Sequence, residues 1–87
     1  MSQYIALIHK EANSDYGVSF PDFPGCVTAG STVEEALVMA REALVGHIEA
    51  MIEKGLAIAE PSSMDAIMQD TANRDGVAVI VPARADM

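Results

Sequence analysis

Tyr16-Gly17-Val18-Ser19-Phe20-Pro21-Asp22-Phe23-Pro24-Gly25-Cys26-Val27-Thr28-Ala29-Gly30, residues 16–30 of an 87-residue chain, reads as strand, rigid turn and strand in succession. Tyr16, Val18 and Phe20 alternate with Gly17 and Ser19, the period of a strand with one buried face. Pro21, Pro24 and Gly25 then force a turn, because proline fixes φ and glycine accepts conformations closed to other residues. Cys26 to Ala29 forms a further short strand, the third of the chain, which Gly30 and Ser31 end.

Upstream, Tyr4 to Lys10 is β-rich and almost wholly apolar, and Glu11 to Asp15 supplies polar turn formers, so the first two strands read as an antiparallel hairpin. Downstream, Thr32 is placed to cap a helix, with Glu35 reaching back to complete a capping box. Glu34 and Glu35 suit the positive end of the helix dipole. Gly55 is a natural left-handed stop, so the helix is expected from Val33 to Lys54. On a helical wheel Val33, Leu37, Ala40, Leu44, Ile48 and Met51 share one face, expected to cover the sheet. Glu35, Glu42, Glu49 and Glu53 lie opposite. Gly46 inside the helix is unfavourable by about 1 kcal/mol relative to alanine. A short helix is expected over Met64 to Gln69, then a polar loop from Asp70 to Gly76. Val77 to Val81 reads as a strand buried on both faces, pairing parallel to the first strand after a right-handed crossover. The fold class is therefore α+β: a mostly antiparallel three-stranded meander plus a fourth strand, with one long helix on one face, in the order β-β-β-α-α-β.

Eighty-seven residues make a single domain, 1–87, with a modest core. Thirteen acidic against five basic residues give a net charge of −8, which repels a phosphate backbone and favours a basic protein partner. Nucleic-acid binding by this segment alone is not expected. One cysteine cannot form an internal disulfide, and no charged leader with an apolar stretch precedes the first strand, so the expected location is the cytoplasm. The longest apolar run, Gly76 to Pro82, is too short to span a bilayer, so no membrane association is expected.

The acidic residues and glycine before the second strand (Glu11, Asp15, Gly17), the run Phe20-Pro21-Asp22-Phe23-Pro24-Gly25-Cys26, Thr28 with Gly30, and the helix opening Thr32, Glu35, Ala36 together resemble the N-terminal domain of the HicB-type antitoxin family. The resemblance spans Tyr4 to Ile52 closely and the remainder by pattern. It implies a HicB-like, partial ribonuclease H-like fold. It also implies an antitoxin of a type II toxin–antitoxin system that binds a small basic HicA-type mRNA-cleaving ribonuclease and covers its catalytic histidine. Many family members continue into a DNA-binding helix-turn-helix or ribbon-helix-helix segment. This chain stops at Met87, so no C-terminal DNA-binding segment is expected in it. The alternative is a solitary HicB-like oligomeric scaffold or small-ligand module.

Enzymatic readings fare worse on the residues. A two-metal nuclease needs carboxylates converging from the first strand, the helix and the last strand, and neither Tyr4 to Lys10 nor Val77 to Val81 carries one. Cys26 lacks any nucleophile signature and reads as a small buried hydrophobe, and His9, His47 and Cys26 lack zinc-site spacing. No metal, no cofactor and no catalytic residue is expected. Exposure and charge instead nominate Glu11, Asp15, Asp22, Phe23, Glu42 and Glu49 as toxin contacts. Val38, Val45 and Ile52 recur every seven residues beside Glu42 and Glu49, off the core face, and are nominated for self-association into a homodimer or larger homo-oligomer.

Overall fold

A computed structural model describes residues 3–10 and 15–83. Strands β1 (Gln3–Lys10), β2 (Tyr16–Ser19) and β3 (Val27–Gly30) form the antiparallel meander. They are followed by helix α1 (Val33–Glu53), helix α2 (Met64–Met68), a 3-10 turn (Thr71–Asp75) and strand β4 (Val77–Pro82). The sheet order is β3-β2-β1-β4.

The β2–β3 connection follows from its prolines. Phe23 N–H donates to Phe20 O (3.0 Å) and Cys26 N–H donates to Phe23 O (2.9 Å), so two four-residue turns share Phe23. Pro21 and Pro24 occupy the second position of each, where φ near −65° is wanted, and Gly25 follows Pro24 at φ +90° as the third position of a type II turn requires. The spacing of three rolls Phe20, Phe23 and Cys26 inward; they are 2%, 2% and 4% exposed.

Helix α1 starts as its cap predicts, with Thr32 Oγ1 accepting from Glu35 N–H at 3.0 Å. Glu35 reaches one residue further back than a capping box requires, accepting from Ser31 N–H at 3.0 Å. At the other end Gly55 sits at φ +72°. The buried stripe is turned from the expected one. Ala36, Ala40 and Leu44 are fully buried, Leu37, Ile48 and Met51 only partly, and Val33 is exposed at the rim. The small alanines let the helix approach the sheet closely, and a Cβ on Gly30 would stand 2.4 Å from the Ala36 nitrogen.

Two expectations for β4 are overturned. It pairs antiparallel with β1, in the register Tyr4↔Val81, Ala6↔Val79, Ile8↔Val77. The reason is the path between α1 and β4. Tyr4 OH, near the start of β1, donates to Ala59 O, whereas Gly76 lies against the His9 ring and Leu7, near its end. The segment in between therefore travels the length of β1, so the chain enters β4 from the end opposite to the one a direct crossover would use. Nor is β4 buried on both faces. Val81 is buried, but Val77 and Ile80 are 66% and 64% exposed, because β4 is an edge strand: α1 lies mainly over the far side of the sheet and leaves Val77 bare, and Ile80 points to the opposite face beside Ile5.

The main core gathers Tyr4, Ala6, Ile8, Val18, Phe20 and Phe23 under Ala36, Ala40 and Leu44. Strand alternation turns Leu7 and His9 to the other face, where Leu7 is completely buried. Ile67 of α2 is also buried outside the main core.

Candidate partner-binding site

Helix α1 buries one stripe and leaves the other bare. On the bare side Val38 and Ile52 are 56% and 62% exposed and Val45 is partly exposed. Exposed Glu42 and Glu49 stand beside them. Val38, Arg41, Glu42, Val45, Gly46 and Glu49 line a shallow groove of about 410 Å³. A Cβ on Gly46 would meet no atom within 4 Å, so the groove is open at that position. The residues nominated for self-association and the helical acids nominated for a toxin thus share one surface, an apolar seam with carboxylates along its flank. Such a surface excludes water at its centre and selects a cationic rim on its partner.

The other nominated residues fall elsewhere. Asp15 is exposed just before β2, and Glu11 lies outside the described residues. Asp22 is half-buried and occupied: its carboxylate accepts from Ser62 N–H (2.9 Å) and Ser62 Oγ–H (2.5 Å), pinning the chain after α1 to the β2–β3 turn. Ser62 carries no sequence signal for this, because the pair is separated by 40 residues. Phe23 is not a surface contact. Its ring lies edge-on to Tyr4 (centroids 4.7 Å, 64°) and to His47 (5.7 Å, 67°), and the consecutive turns account for its burial.

A second cavity, of about 440 Å³, lies below the C-terminal end of α1 among Phe23, His47, Met51, Lys54, Leu56 and Ile58. Its walls are mostly apolar. Cys26 is buried, its Sγ lies 3.7 Å from Ala43 O, and burial pushes the thiol above its ordinary pKa, which disfavours the nucleophilic thiolate. Among the described residues no three His, Cys, Asp or Glu side chains are grouped so as to hold a metal ion. Among them too, no helix is long and apolar enough to cross a membrane.

Residues 4–87 match the family model described as HicB_like antitoxin of bacterial toxin-antitoxin system. The chain belongs to this family. It is 33% identical over 72 residues to a 14.9 kDa protein of Haemophilus phage HP1, covering 83% of this chain and 54% of the phage protein. The chain thus spans about half the length of that relative. Its fold is similar to that of the Burkholderia pseudomallei antitoxin HicB, with a TM-score of 0.86 and 31% identity over 99% of this chain and 66% of that one. It is also similar to a chain of the HicA3 and HicB3 toxin-antitoxin complex, with a TM-score of 0.75 and 28% identity over 92% and 95% of the two chains. The HicB-like α+β architecture is therefore shared along nearly the whole chain.

Proposed function

We propose that this chain is a HicB-type antitoxin domain that neutralises a small basic HicA-type ribonuclease by binding, with no catalysis of its own, in the cytoplasm where such a toxin cleaves mRNA. The whole of 1–87 acts as one domain, and this segment by itself does not grip DNA, since a net charge of −8 repels phosphate. The observation that carries the reading is the outer face of α1, where the exposed Val38 and Ile52 and the partly exposed Val45 run beside Glu42 and Glu49. The acids meet the toxin where RNA phosphates would lie, and the valine seam supplies the buried contact that slows dissociation. Asp15 adds to the acidic field at the end of the sheet. Family membership and the similarity to a chain of a toxin-antitoxin complex support the same reading.

Co-expression with the product of the adjacent gene, read by growth rescue and co-purification, tests it. The unaltered chain rescues growth. Glu42→Lys with Glu49→Lys loses rescue while the melting temperature holds, because both side chains are exposed and unconnected to the core. A chain that neither rescues nor captures a small basic protein overturns the assignment.

A further inference from the structure

We propose that the cavity beneath the C-terminal end of α1 binds a small organic anion with an apolar body, an aliphatic or aromatic carboxylate. At about 440 Å³ it has the size of a small-molecule pocket, and its walls are mostly apolar. Phe23, His47 and Met51 line it from the β2–β3 turn and the helix, and Leu56 and Ile58 from the segment that follows. Hydrogen bonds at both ends of that segment hold the space open. At the near end Gly55 N–H donates to Ile52 O (3.0 Å) and Leu56 N–H to Met51 O (2.9 Å), which closes the last carbonyls of α1 on the chain itself. At the far end Tyr4 OH donates to Ala59 O, and Ser62 donates to the Asp22 carboxylate. Fixed at both ends, the stretch 56–59 bridges the space instead of filling it. Leu56 and Met51, the pair that such a helix end brings together, both line the cavity, yet Leu56 remains 54% exposed.

The polar groups select the charge of the guest. Asp22 is the one acid on the cavity wall, and its carboxylate is already engaged by Ser62. The other two polar side chains there, His47 and Lys54, make no hydrogen bond or ion pair among the described residues. What the cavity leaves open is therefore an ammonium and an imidazole N–H, both donors, on apolar walls. A carboxylate matches them, and its apolar body covers Leu56 and Met51. The net charge of −8 opposes any anion, but salt screens it beyond about 10 Å at 0.1 M, whereas Lys54 stands on the cavity itself.

Fluorescence titration of the full chain with anilinonaphthalene sulfonate, an aromatic anion that brightens in apolar surroundings, tests this when followed by competition with octanoate, octanol and octylammonium. The expected result is one probe molecule bound per chain, displaced by octanoate and not by octylammonium. Lys54→Gln raises the dissociation constant of octanoate about fivefold and leaves that of octanol unchanged, the ammonium being exposed. Ala50→Phe, at an exposed position of the cavity wall, fills the space and abolishes binding. Ala57→Phe serves if Ala50→Phe melts early. Absence of saturable binding, displacement by octylammonium as effective as by octanoate, or an octanoate affinity indifferent to Lys54→Gln overturns the proposal. Binding that survives both phenylalanine variants and is lost in Val38→Lys with Ile52→Lys places the probe on the outer face of α1 and overturns it as well.

Discussion

Phe23 stands between two prolines and beside an aspartate, the composition of a loop tip, yet it is one of the most deeply placed side chains in the molecule. The turn geometry explains this. Two turns sharing a residue reverse the chain and send every third side chain to the same side. Phe23→Ala therefore acts on stability: it removes a ring packed on Tyr4 and His47 and lowers the unfolding free energy by about 3 kcal/mol. Urea denaturation measures this, and an unchanged midpoint would return Phe23 to the surface. Asp22 beside it is likewise an internal strut, through Ser62, although its charge reads as a partner contact.

Within α1, the interior glycine is unfavourable by about 1 kcal/mol relative to alanine, and among the described residues nothing lies within 4 Å of a Cβ built there. Gly46 lines the groove between Val38 and Glu49, the surface proposed to meet the toxin. Gly46→Ala thus has effects of opposite sign. It raises the melting temperature of the free domain by about 4–8 °C for each kcal/mol gained, and it weakens toxin capture by partly filling the groove. Calorimetry and pull-down on one variant check both, and tighter capture would show that the partner does not approach at Gly46. Gly30 behaves in the contrary way, because a Cβ there collides with the backbone of Ala36. The elements differ in what they leave open: α1 presents acids around an apolar seam, whereas β4 presents an uncharged edge.

Across the whole molecule, charge is segregated: α1 carries a row of acids and β4 carries none. With Glu42 and Glu49 steering the proposed toxin, its association rate is expected to fall as ionic strength rises. Stopped-flow association over a salt series measures the slope, and a rate indifferent to salt would mean that these acids do not guide the encounter.

The sequence alone determined what depends on neighbours a few residues away. The meander follows from alternation and the paired prolines, the limits of α1 from Thr32 and Gly55, and the family from the run around Phe20 to Cys26. Those signals are local, because turns, caps and strand periods are set by φ restrictions and short-range hydrogen bonds. The direction and exposure of β4 were decided only in three dimensions. They depend on where the chain between Leu56 and Gly76 travels, and that path is held by contacts far apart in sequence: Tyr4 with Ala59, Asp22 with Ser62, Gly76 with His9. The burial of Phe23 and the merging of two expected surfaces into one groove on α1 belong there too. A wheel orders side chains around a helix, but only packing against a particular sheet chooses which of them face solvent.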